Sequence, residues 1–330
     1  MKKIIFISFI LSCYFSVFAN EYSLIRLTDK YGIIDKDLTV IIEPQYEIIS
    51  ANNNVFTCFS SNKKVDCYNS SAELIHSIKS PVKFTPFTDS ESIVNKKYLL
   101  NIETGEVKSF DYYTFVNNNG FLEFYGFKEG LALTVKNTYS DARYRYSVCD
   151  TNGFVILDNI EQSGYSFSGG FLPVVLADGK SGFVDTKGNL VIETSFYINP
   201  DELLAPRQTP AITYYFNEGV ALVQKTKELW YLFTESGESK QLPDNVFLAA
   251  FKFSKNLVAV YKKESEIKKY GYMNKNLGIE IPCVFDYAEN FVGNYAIVKY
   301  QGKDGLIDIK GNFYASEDLM VGIKRSIKVK

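Results

Sequence analysis

The chain has 330 residues, of which 46% are hydrophobic and 22% charged, a globular composition that excludes wholesale disorder. Its formal net charge of −2 excludes the strongly basic surface expected of a nucleic-acid-binding protein. Aromatic residues reach 15%, with 24 Tyr and 26 Phe against one Trp. Because Tyr and Phe favour the pleated, half-buried surface of a sheet, this composition indicates a β-rich fold.

The N-terminus has the pattern of a secretory signal. Two lysines, Lys2 and Lys3, precede an apolar run, and Val17 and Ala19 place small residues before a cleavage site. We therefore predict a signal peptide over residues 1–19 and export to the periplasm or the medium.

Cys13 offers an alternative form of export, as a lipoprotein anchored through this residue. The bulky Leu11, two positions before it, makes the surrounding motif a poor one. No later stretch approaches about 18 uninterrupted apolar residues, so the sequence predicts no transmembrane helix after the signal.

Four cysteines follow the predicted signal, at Cys58, Cys67, Cys149 and Cys283. An even number of cysteines in an exported protein permits disulfides. A two-residue loop at residues 62–63 would place Cys58 opposite Cys67 in a non-hydrogen-bonded pair, where side chains approach closely. We therefore predict a Cys58–Cys67 disulfide, whereas two buried free thiols are favoured for Cys149 and Cys283.

Turns of the form Asp/Asn-x-x-Gly, or weaker copies of it, recur after short strands. They begin at residues 35, 69, 102, 150, 185, 234, 274 and 308. A short acceptor side chain at the first position can bond backbone N–H groups further on, and Gly at the fourth accommodates a positive φ. We therefore interpret four aspartates as turn residues rather than as a catalytic or calcium-binding set: Asp35, Asp150, Asp185 and Asp308.

A second marker is a Phe followed three residues later by Gly or Asn and then by a strand. It begins at residues 127, 167, 216, 253 and 291. The Phe is expected to anchor a turn, and strands such as 220–223 start apolar on both faces, which indicates that both faces are covered. Pro44 and Pro282 follow later in the repeat and are predicted to end strands, because proline cannot donate to a ladder.

These segments together resemble the WG-repeat family of bacterial proteins. The motif Tyr31-Gly32-Ile-Ile-Asp35, followed by Glu43-Pro44-Gln-Tyr46, is the best match, and similar steps occur at Gly182, Gly271 and Gly305. The Trp that names the repeat never precedes these glycines, and the lone Trp230 precedes Tyr231 instead. The resemblance covers roughly residues 22–315 and implies a tandem β array, but it implies little about function.

The sequence thus predicts an all-β fold of about eight repeats, each a three-stranded meander. We favour a propeller-like ring, because closure removes edge strands, with an open β-solenoid as the alternative. The predicted organisation is a signal peptide at 1–19, a repeat array at 20–315 and a C-terminal tail at 316–330.

Residues suited to catalysis are sparse. The chain has a single histidine, His76, so a Ser-His-Asp triad or a His-based metal site would depend on that residue. Gly179-Lys180-Ser181 resembles the end of a phosphate loop, but Val174 stands where that loop needs Gly. We therefore expect no enzymatic activity, no cofactor and no metal site.

Two insertions, 137–146 and 197–215, interrupt the repeat and are the better candidates for function. Exposed aromatic residues beside Arg make good recognition surfaces, whereas cross-strand packing is the alternative role for the same residues. The predicted ligand-binding residues are Arg143, Tyr144, Arg145, Tyr146, Tyr214 and Tyr215.

The function predicted from these observations is that of an exported, non-enzymatic, monomeric repeat scaffold. It would bind a protein, peptide or glycan through the loops between repeats. The alternative is an envelope hydrolase that uses carboxylates at the centre of the β array, since paired carboxylates are sufficient for glycoside chemistry.

Overall fold

The computed structural model consists of antiparallel sheets and confirms the all-β prediction. It describes residues 22–52, 55–61, 64–69, 71–79, 84–86, 91–101, 106–113, 115, 123–137, 144–197, 212–264 and 267–329. The predicted signal peptide at 1–19, with Cys13, and the predicted site residue Arg143 lie outside these ranges.

Within the described residues the strands form seven sheets, numbered here in chain order. Sheet 1 contains β1 (Tyr22–Leu27), β2 (Lys30–Asp35) and β3 (Val40–Tyr46). Sheet 2 contains β4 (Ile48–Asn52), β5 (Val55–Phe59), β6 (Lys64–Asn69) and β7 (Leu74–Lys79). Sheet 3 contains β8 (Phe84–Pro86), β9 (Glu91–Val94), β10 (Tyr98–Asn101) and β11 (Val107–Ser109).

Sheet 4 is the widest and contains β12 (Glu123–Lys128), β13 (Leu131–Asn137), β14 (Tyr144–Asp150), β15 (Val155–Ser163), β16 (Phe171–Leu176), β17 (Ser181–Asp185) and β18 (Leu190–Glu193). Sheet 5 contains β19 (Phe216–Asn217), β20 (Val220–Gln224), β21 (Trp230–Thr234) and β22 (Ser239–Gln241). Sheet 6 contains β23 (Phe247–Leu248), β24 (Leu257–Glu264), β25 (Ile267–Asn274) and β26 (Ile279–Phe285). Sheet 7 contains β27 (Tyr287–Ala288), β28 (Tyr295–Tyr300), β29 (Lys303–Asp308), β30 (Asn312–Ala315) and, after helix α1 (Ser316–Met320), β31 (Ser326–Lys328).

The chain divides into two compact units. The first comprises Met1–Val82, Asn101–Glu106 and Pro243–Lys330, and the second comprises Lys83–Leu100 and Val107–Leu242. In every sheet, strands that follow one another in sequence are hydrogen-bonded neighbours. This meander order follows from the short turns between strands.

The Phe-x-x-Gly marker forms a turn, as predicted, and in the copies that begin at 127 and 216 this is a two-residue hairpin turn. Both central residues have positive φ, with 54° at Glu129 and 76° at Gly130, and 51° at Glu218 and 80° at Gly219. These are the angles of a type I′ turn, whose twist matches that of the flanking strands. The anchoring aromatic is buried in four of the five copies: Phe167, Phe216, Phe253 and Phe291.

The Asp/Asn-x-x-Gly marker also forms the predicted turn. Asp35 Oδ1 accepts hydrogen bonds from the backbone N–H groups of Asp37 (2.9 Å) and Thr39 (2.8 Å). The fourth residue has positive φ, 84° at Gly153 and 62° at Leu38, which is buried despite the strain. The same pair of side-chain bonds forms at Asn69, Asp150, Asp185, Asn274 and Asp308.

Glycine has a further role in the Tyr-Gly step of the repeat. A Cβ atom placed on Gly271 would lie 2.6 Å from the carbonyl oxygen of Ile281, on the neighbouring strand. The corresponding clashes at Gly32 and Gly182 would be closer still. The third strand of these repeats thus approaches too closely for any side chain, which explains the glycine at this step.

The prediction that prolines end the third strands is wrong. Strand β3 continues through Pro44 to Tyr46, and β26 continues through Pro282 to Phe285. The register shifts across each proline, which marks a bulge. Because a bulge leaves backbone N–H groups outside the ladder, proline is tolerated there.

The predicted repeat of three strands is also wrong for most sheets. Sheets 2, 3, 5 and 6 have four strands, because one further strand pairs at the N-terminal edge of each meander. In sheet 4, two successive repeats join where β15 pairs with β16. Extended connecting segments beside a strand edge satisfy their backbone groups by pairing. The choice between a ring and a solenoid stays a prediction.

Apolar faces pack between successive sheets within each compact unit. In the first unit, sheet 7 contacts sheet 6 through Val298 and Phe285, and it contacts sheet 1 through Ile297 and Ile25. In the second unit, Phe216 of sheet 5 packs on residues of sheet 4. Covering both faces explains the strands that are apolar on both sides, as expected for 220–223.

Candidate functional site

The predicted binding residues at 143–146 have different surroundings. Tyr146 is 1% exposed and belongs to the hydrophobic core of sheet 4. Arg145 Nη1 donates to Glu161 Oε1 at 2.7 Å. Of Tyr144 the structure describes the backbone, in β14. Aromatic packing, the alternative role of these residues, therefore accounts for Tyr146.

The second predicted group, Tyr214 and Tyr215, is also partly in the core. Tyr214 is 7% exposed, its hydroxyl donates to the carbonyl oxygen of Tyr197 at 2.7 Å, and its ring stacks on Phe196 with centroids 5.4 Å apart. Tyr215 is half-buried. Tyr146 and Tyr214 thus have structural contacts, whereas binding by Arg145 and Tyr215 stays a prediction.

The predicted disulfide between Cys58 and Cys67 is not formed, and both thiols are free and buried. The hairpin pairs Phe59 with Val65, so Cys67 lies opposite Thr57 rather than Cys58. A shift of one residue places the two cysteine side chains on opposite faces of the sheet. Burial raises the pKa of both thiols, to about 12 for Cys67, which makes them unreactive.

A cluster of charged and tyrosine side chains joins sheets 1 and 7 in the first compact unit. We call it the Arg26 cluster: Arg26, Tyr31, Tyr287, Glu289 and Asp304. Arg26 Nη2 donates to Asp304 Oδ1 at 3.3 Å, and Arg26 Nη1 lies 3.7 Å from Glu289 Oε1. The guanidinium carbon stands 4.7 Å from the centroid of the Tyr287 ring. One cation thus faces two carboxylates and an aromatic ring.

Two tyrosine hydroxyls complete the cluster. Tyr31 and Tyr287 each donate to Glu289 Oε1 at 3.0 Å. Burial raises the pKa of the Glu289 carboxyl, and the attraction of Arg26 and the two hydrogen bonds reduce but do not cancel that effect. Burial, with the adjacent carboxylate, also raises the pKa of both tyrosines, so they remain protonated donors.

The chemistry open to the Arg26 cluster is limited by space. A carboxyl group with a raised pKa is suited to act as a general acid. The neighbouring pocket, lined by Glu289, Asn290 and four apolar or aromatic side chains, is too narrow to admit a water molecule. Nearby, Ser23 Oγ accepts from the backbone N–H of Asn294 at 3.2 Å, and Tyr295 donates to the carbonyl oxygen of Lys36 at 3.3 Å. The arrangement is that of a cross-link between the two sheets.

A second polar cluster lies between sheets 1 and 2. Asp66, 5% exposed, accepts from Tyr46 at 3.1 Å and from Lys64 at 3.2 Å, and the hydroxyls of Tyr46 and Tyr68 are 2.6 Å apart. Burial acts to raise the pKa of Asp66, but hydrogen bonds from Lys64, Ser77 and Tyr46 outweigh it and leave that pKa lowered. The carboxylate is therefore held ionised as a structural acceptor.

Neither cluster is foreshadowed by a motif in the sequence. Arg26 and Asp304 are 278 positions apart, and no local motif joins them. The one available signal was the tyrosine before Gly32, which occupies the place of the repeat's Trp and carries a hydroxyl that Trp lacks.

The part of the chain that the structure describes contains neither a metal-binding cluster nor a membrane-spanning helix. There, no three side chains of His, Cys, Asp or Glu are grouped so as to hold a metal ion. No helix in the same ranges has the length and apolar character needed to cross a membrane.

Consecutive antiparallel sheets with recurring turns define an all-β repeat protein. More particularly, residues 31–56 and 270–303 match the family described as WG containing repeat, which confirms the resemblance at these two segments. They include the Tyr31-Gly32 and Tyr270-Gly271 steps. The matched segments lie in the strands of sheets 1 and 2 and in those of sheets 6 and 7. A search of curated proteins finds no match.

Several solved structures are similar to this chain along most of its length. The crystal structure of a eukaryotic initiation factor is 8% identical, with 94% of this chain and 97% of that chain covered and a TM-score of 0.46. BamB from Moraxella catarrhalis is 11% identical, with coverages of 84% and 92% and a TM-score of 0.41. The Dos1 propeller is 10% identical, with coverages of 88% and 93% and a TM-score of 0.44. Sequence identities and TM-scores this low support no conclusion about function.

Proposed function

We propose that this chain is an exported, non-enzymatic repeat scaffold that binds a protein, peptide or glycan through the loops between its repeats. The observation that carries the proposal is the recurrence of one hairpin, in which Asp or Asn bonds the backbone of its own turn at six described positions. These carboxylate and amide groups are used to shape turns. Recognition is therefore assigned to the segments that depart from the repeat.

The two WG repeats and the regular meander support the scaffold part of the proposal. Rigid sheets hold their connecting loops in fixed positions, which is how loops on a scaffold come to carry binding. The departing segments are 137–146 and 197–215, whose central residues, 138–143 and 198–211, lie outside the described ranges.

Export is proposed from the basic, apolar and small-residue order of residues 1–19. Fusing residues 1–22 to a periplasm-dependent reporter tests it. We expect reporter activity outside the cytoplasm and its loss when Leu11 is replaced by Arg. Retention of the Leu11→Arg fusion outside the cytoplasm would contradict the signal, and anchoring that depends on Cys13 would favour the lipoprotein form.

The binding role is tested by affinity capture from envelope extracts with residues 20–330 as bait. The matched variants replace 138–143 or 198–211 by Gly-Ser segments of equal length. The control is Thr151→Ala with Asn152→Ala, which alters an ordinary exposed turn of sheet 4. We expect a partner that the wild type and the control retain and that one of the loop variants loses.

The alternative, an envelope hydrolase, is favoured by one observation, the raised pKa of Glu289 beside Asp304 and Arg26. It predicts hydrolysis of a cell-wall or sugar substrate that is lost in Glu289→Gln. Such hydrolysis, together with the capture of no partner by any bait, would replace the scaffold proposal.

A further inference from the structure

The hairpin of β24 and β25 in sheet 6 places lysines directly opposite lysines. Its register pairs Lys262 with Lys269 and Lys263 with Lys268. Like charges directly opposite each other in an antiparallel pair are destabilising. Four lysines arranged in this way therefore need an explanation outside the stability of the hairpin.

One of the two lysine pairs has a counterion. Lys269 Nζ lies 2.6 Å from Asp286 Oδ1, and this hydrogen bond lowers the pKa of the Asp286 carboxyl. Because side chains alternate between faces along a strand, Lys262 and Lys269 share one face of the hairpin, while Lys263 and Lys268 share the other.

The second pair is held by aromatic rings. Lys263 Nζ lies 5.2 Å from the ring centroid of Phe247, and Lys268 Nζ lies 4.7 Å from that of Tyr261. Both lysines are exposed, and among the residues whose side chains are described neither has a carboxylate within 4.0 Å. The side chain of Glu264 and residues 265–266, at the tip, lie outside that description.

The rings under these lysines also contact one another. Phe247 stacks on Tyr261 with centroids 5.2 Å apart and planes at 17°, and Tyr261 packs on Tyr270 at 5.5 Å. A sugar ring that stacked on Tyr261 would have to displace Phe247 or Lys268. The face therefore presents two positioned ammonium groups, with the apolar side chain of Phe247 (38% exposed) beside them.

We propose that this face, formed by Phe247, Tyr261, Lys263 and Lys268 and called here the lysine–aromatic face, docks an acidic peptide segment of a partner protein. Carboxylates of the peptide would pair with Lys263 and Lys268, and an apolar side chain of the peptide would cover Phe247. The choice of an acidic peptide is based on charge complementarity. Lys263 and Lys268 form a local positive site on a chain whose net charge is −2. This proposal rests on the proposed scaffold function only in taking a protein as the partner. The surface itself lies within a repeat rather than in an inserted loop.

The test is fluorescence anisotropy with a labelled peptide of ten glutamates and one central leucine, at low ionic strength. We expect saturable binding that weakens as salt is added, because screening acts strongly on exposed charges. The double variant Lys263→Gln with Lys268→Gln should bind about tenfold more weakly, since it removes two charge pairs. The control Lys187→Gln with Lys240→Gln makes the same change of net charge at exposed lysines elsewhere and should bind as the wild type does.

Misfolding is separated from loss of binding by thermal unfolding. Removing a like-charge pair should leave the melting temperature of the Lys263/Lys268 variant equal to or above that of the wild type. Equal binding by this variant and the wild type would overturn the proposal. So would binding of a sulfated or uronic-acid oligosaccharide, dependent on the two lysines, with no binding of the peptide. The scaffold proposal is tested by a different result. A captured partner that is lost only when 138–143 or 198–211 is replaced supports the scaffold proposal and does not involve the lysine–aromatic face.

Discussion

Two sites in the first compact unit contain the same contact, a cation beside a tyrosine ring, but differ in burial and in counterions. In the Arg26 cluster a guanidinium lies 4.7 Å from the Tyr287 ring centroid, and on the lysine–aromatic face an ammonium lies 4.7 Å from that of Tyr261. The Arg26 side chain is only 13% exposed and has two carboxylates beside it, whereas Lys268 is exposed and faces another lysine. A buried charge requires a counterion within the fold, while an exposed one can persist without it. The difference separates charges that hold sheets together from charges available to a partner.

The largest effect is expected from removing a carboxylate of the Arg26 cluster. Glu289→Ala leaves Arg26, whose side chain is 13% exposed, with a weakened set of partners. We expect a loss of about 3 kcal/mol in the free energy of unfolding, measured by urea denaturation, because breaking a largely buried ion pair leaves the remaining charge without its partner. Glu193→Ala, at an exposed position, is the control. Equal losses in the two variants would show that the cluster does not hold the sheets.

The next effect concerns the hydroxyls that donate to Glu289. Tyr31→Phe with Tyr287→Phe should cost about 2 kcal/mol at neutral pH, because a partly buried carboxylate loses two donors. Both pKa values are raised in the folded chain, so the stability due to the neutral hydroxyls is present below about pH 10 and is lost as the pH rises further. Urea midpoints between about pH 8 and about pH 11 should therefore fall less steeply in the double variant than in the wild type.

The contributions of Glu289 and Asp286 to stability should depend on pH in opposite directions. The pKa of Asp286 is lowered by Lys269, so its stabilisation is present above its ordinary pKa and is lost as the pH falls through the lowered value. The pKa of Glu289 is raised, so its contribution is present at low pH and is lost as the pH rises through the raised value.

Unfolding of Asp286→Asn and Glu289→Gln, measured from about pH 3 to about pH 7, checks these signs. The Asp286 variant should lose less stability on acidification than the wild type, by under about 1 kcal/mol, because this pair is partly exposed. The Glu289 variant should lose less stability than the wild type as the pH rises from acid to neutral. Parallel pH profiles for the two variants would contradict the assignment.

The smallest effect is expected on the lysine–aromatic face. Lys268→Gln should raise the free energy of unfolding by a few tenths of a kcal/mol (roughly 0.3), since it relieves the repulsion from Lys263. The matched change Lys269→Gln should lower it by a similar amount, because it removes the partner of Asp286. Thermal melting of both variants at low and high salt would show the two shifts converging as salt screens the charges.

Local features of the fold could be predicted because each depends on neighbouring residues. The Asp35 turn needs a side-chain acceptor and donors two and four residues away, and these are adjacent in the chain. Residue counting failed at Cys58 and Cys67 because one residue more or less in the turn reverses which side chains share a face. The prediction that Pro44 ends its strand failed because a bulge depends on the neighbouring strand.

The candidate sites were less predictable than the fold. Tyr146 and Tyr214 were expected at a binding surface, and their burial follows from packing against residues of other strands. The Arg26 cluster draws its charges from the two ends of the described chain, which no local pattern relates. Lysines 262, 263, 268 and 269 are visible in the sequence, but only the register of the hairpin shows that they face one another.

The sequence by itself determined the β class, the WG-type repeats and the position of the hairpin turns, since hydrophobic alternation and turn chemistry act over a few residues. Tertiary structure alone decided the strand count of each sheet, the register across Cys58 and Cys67, and the partners of Arg26 and Glu289. These depend on which edges and faces meet in space, where backbone pairing, burial and counterions are settled together.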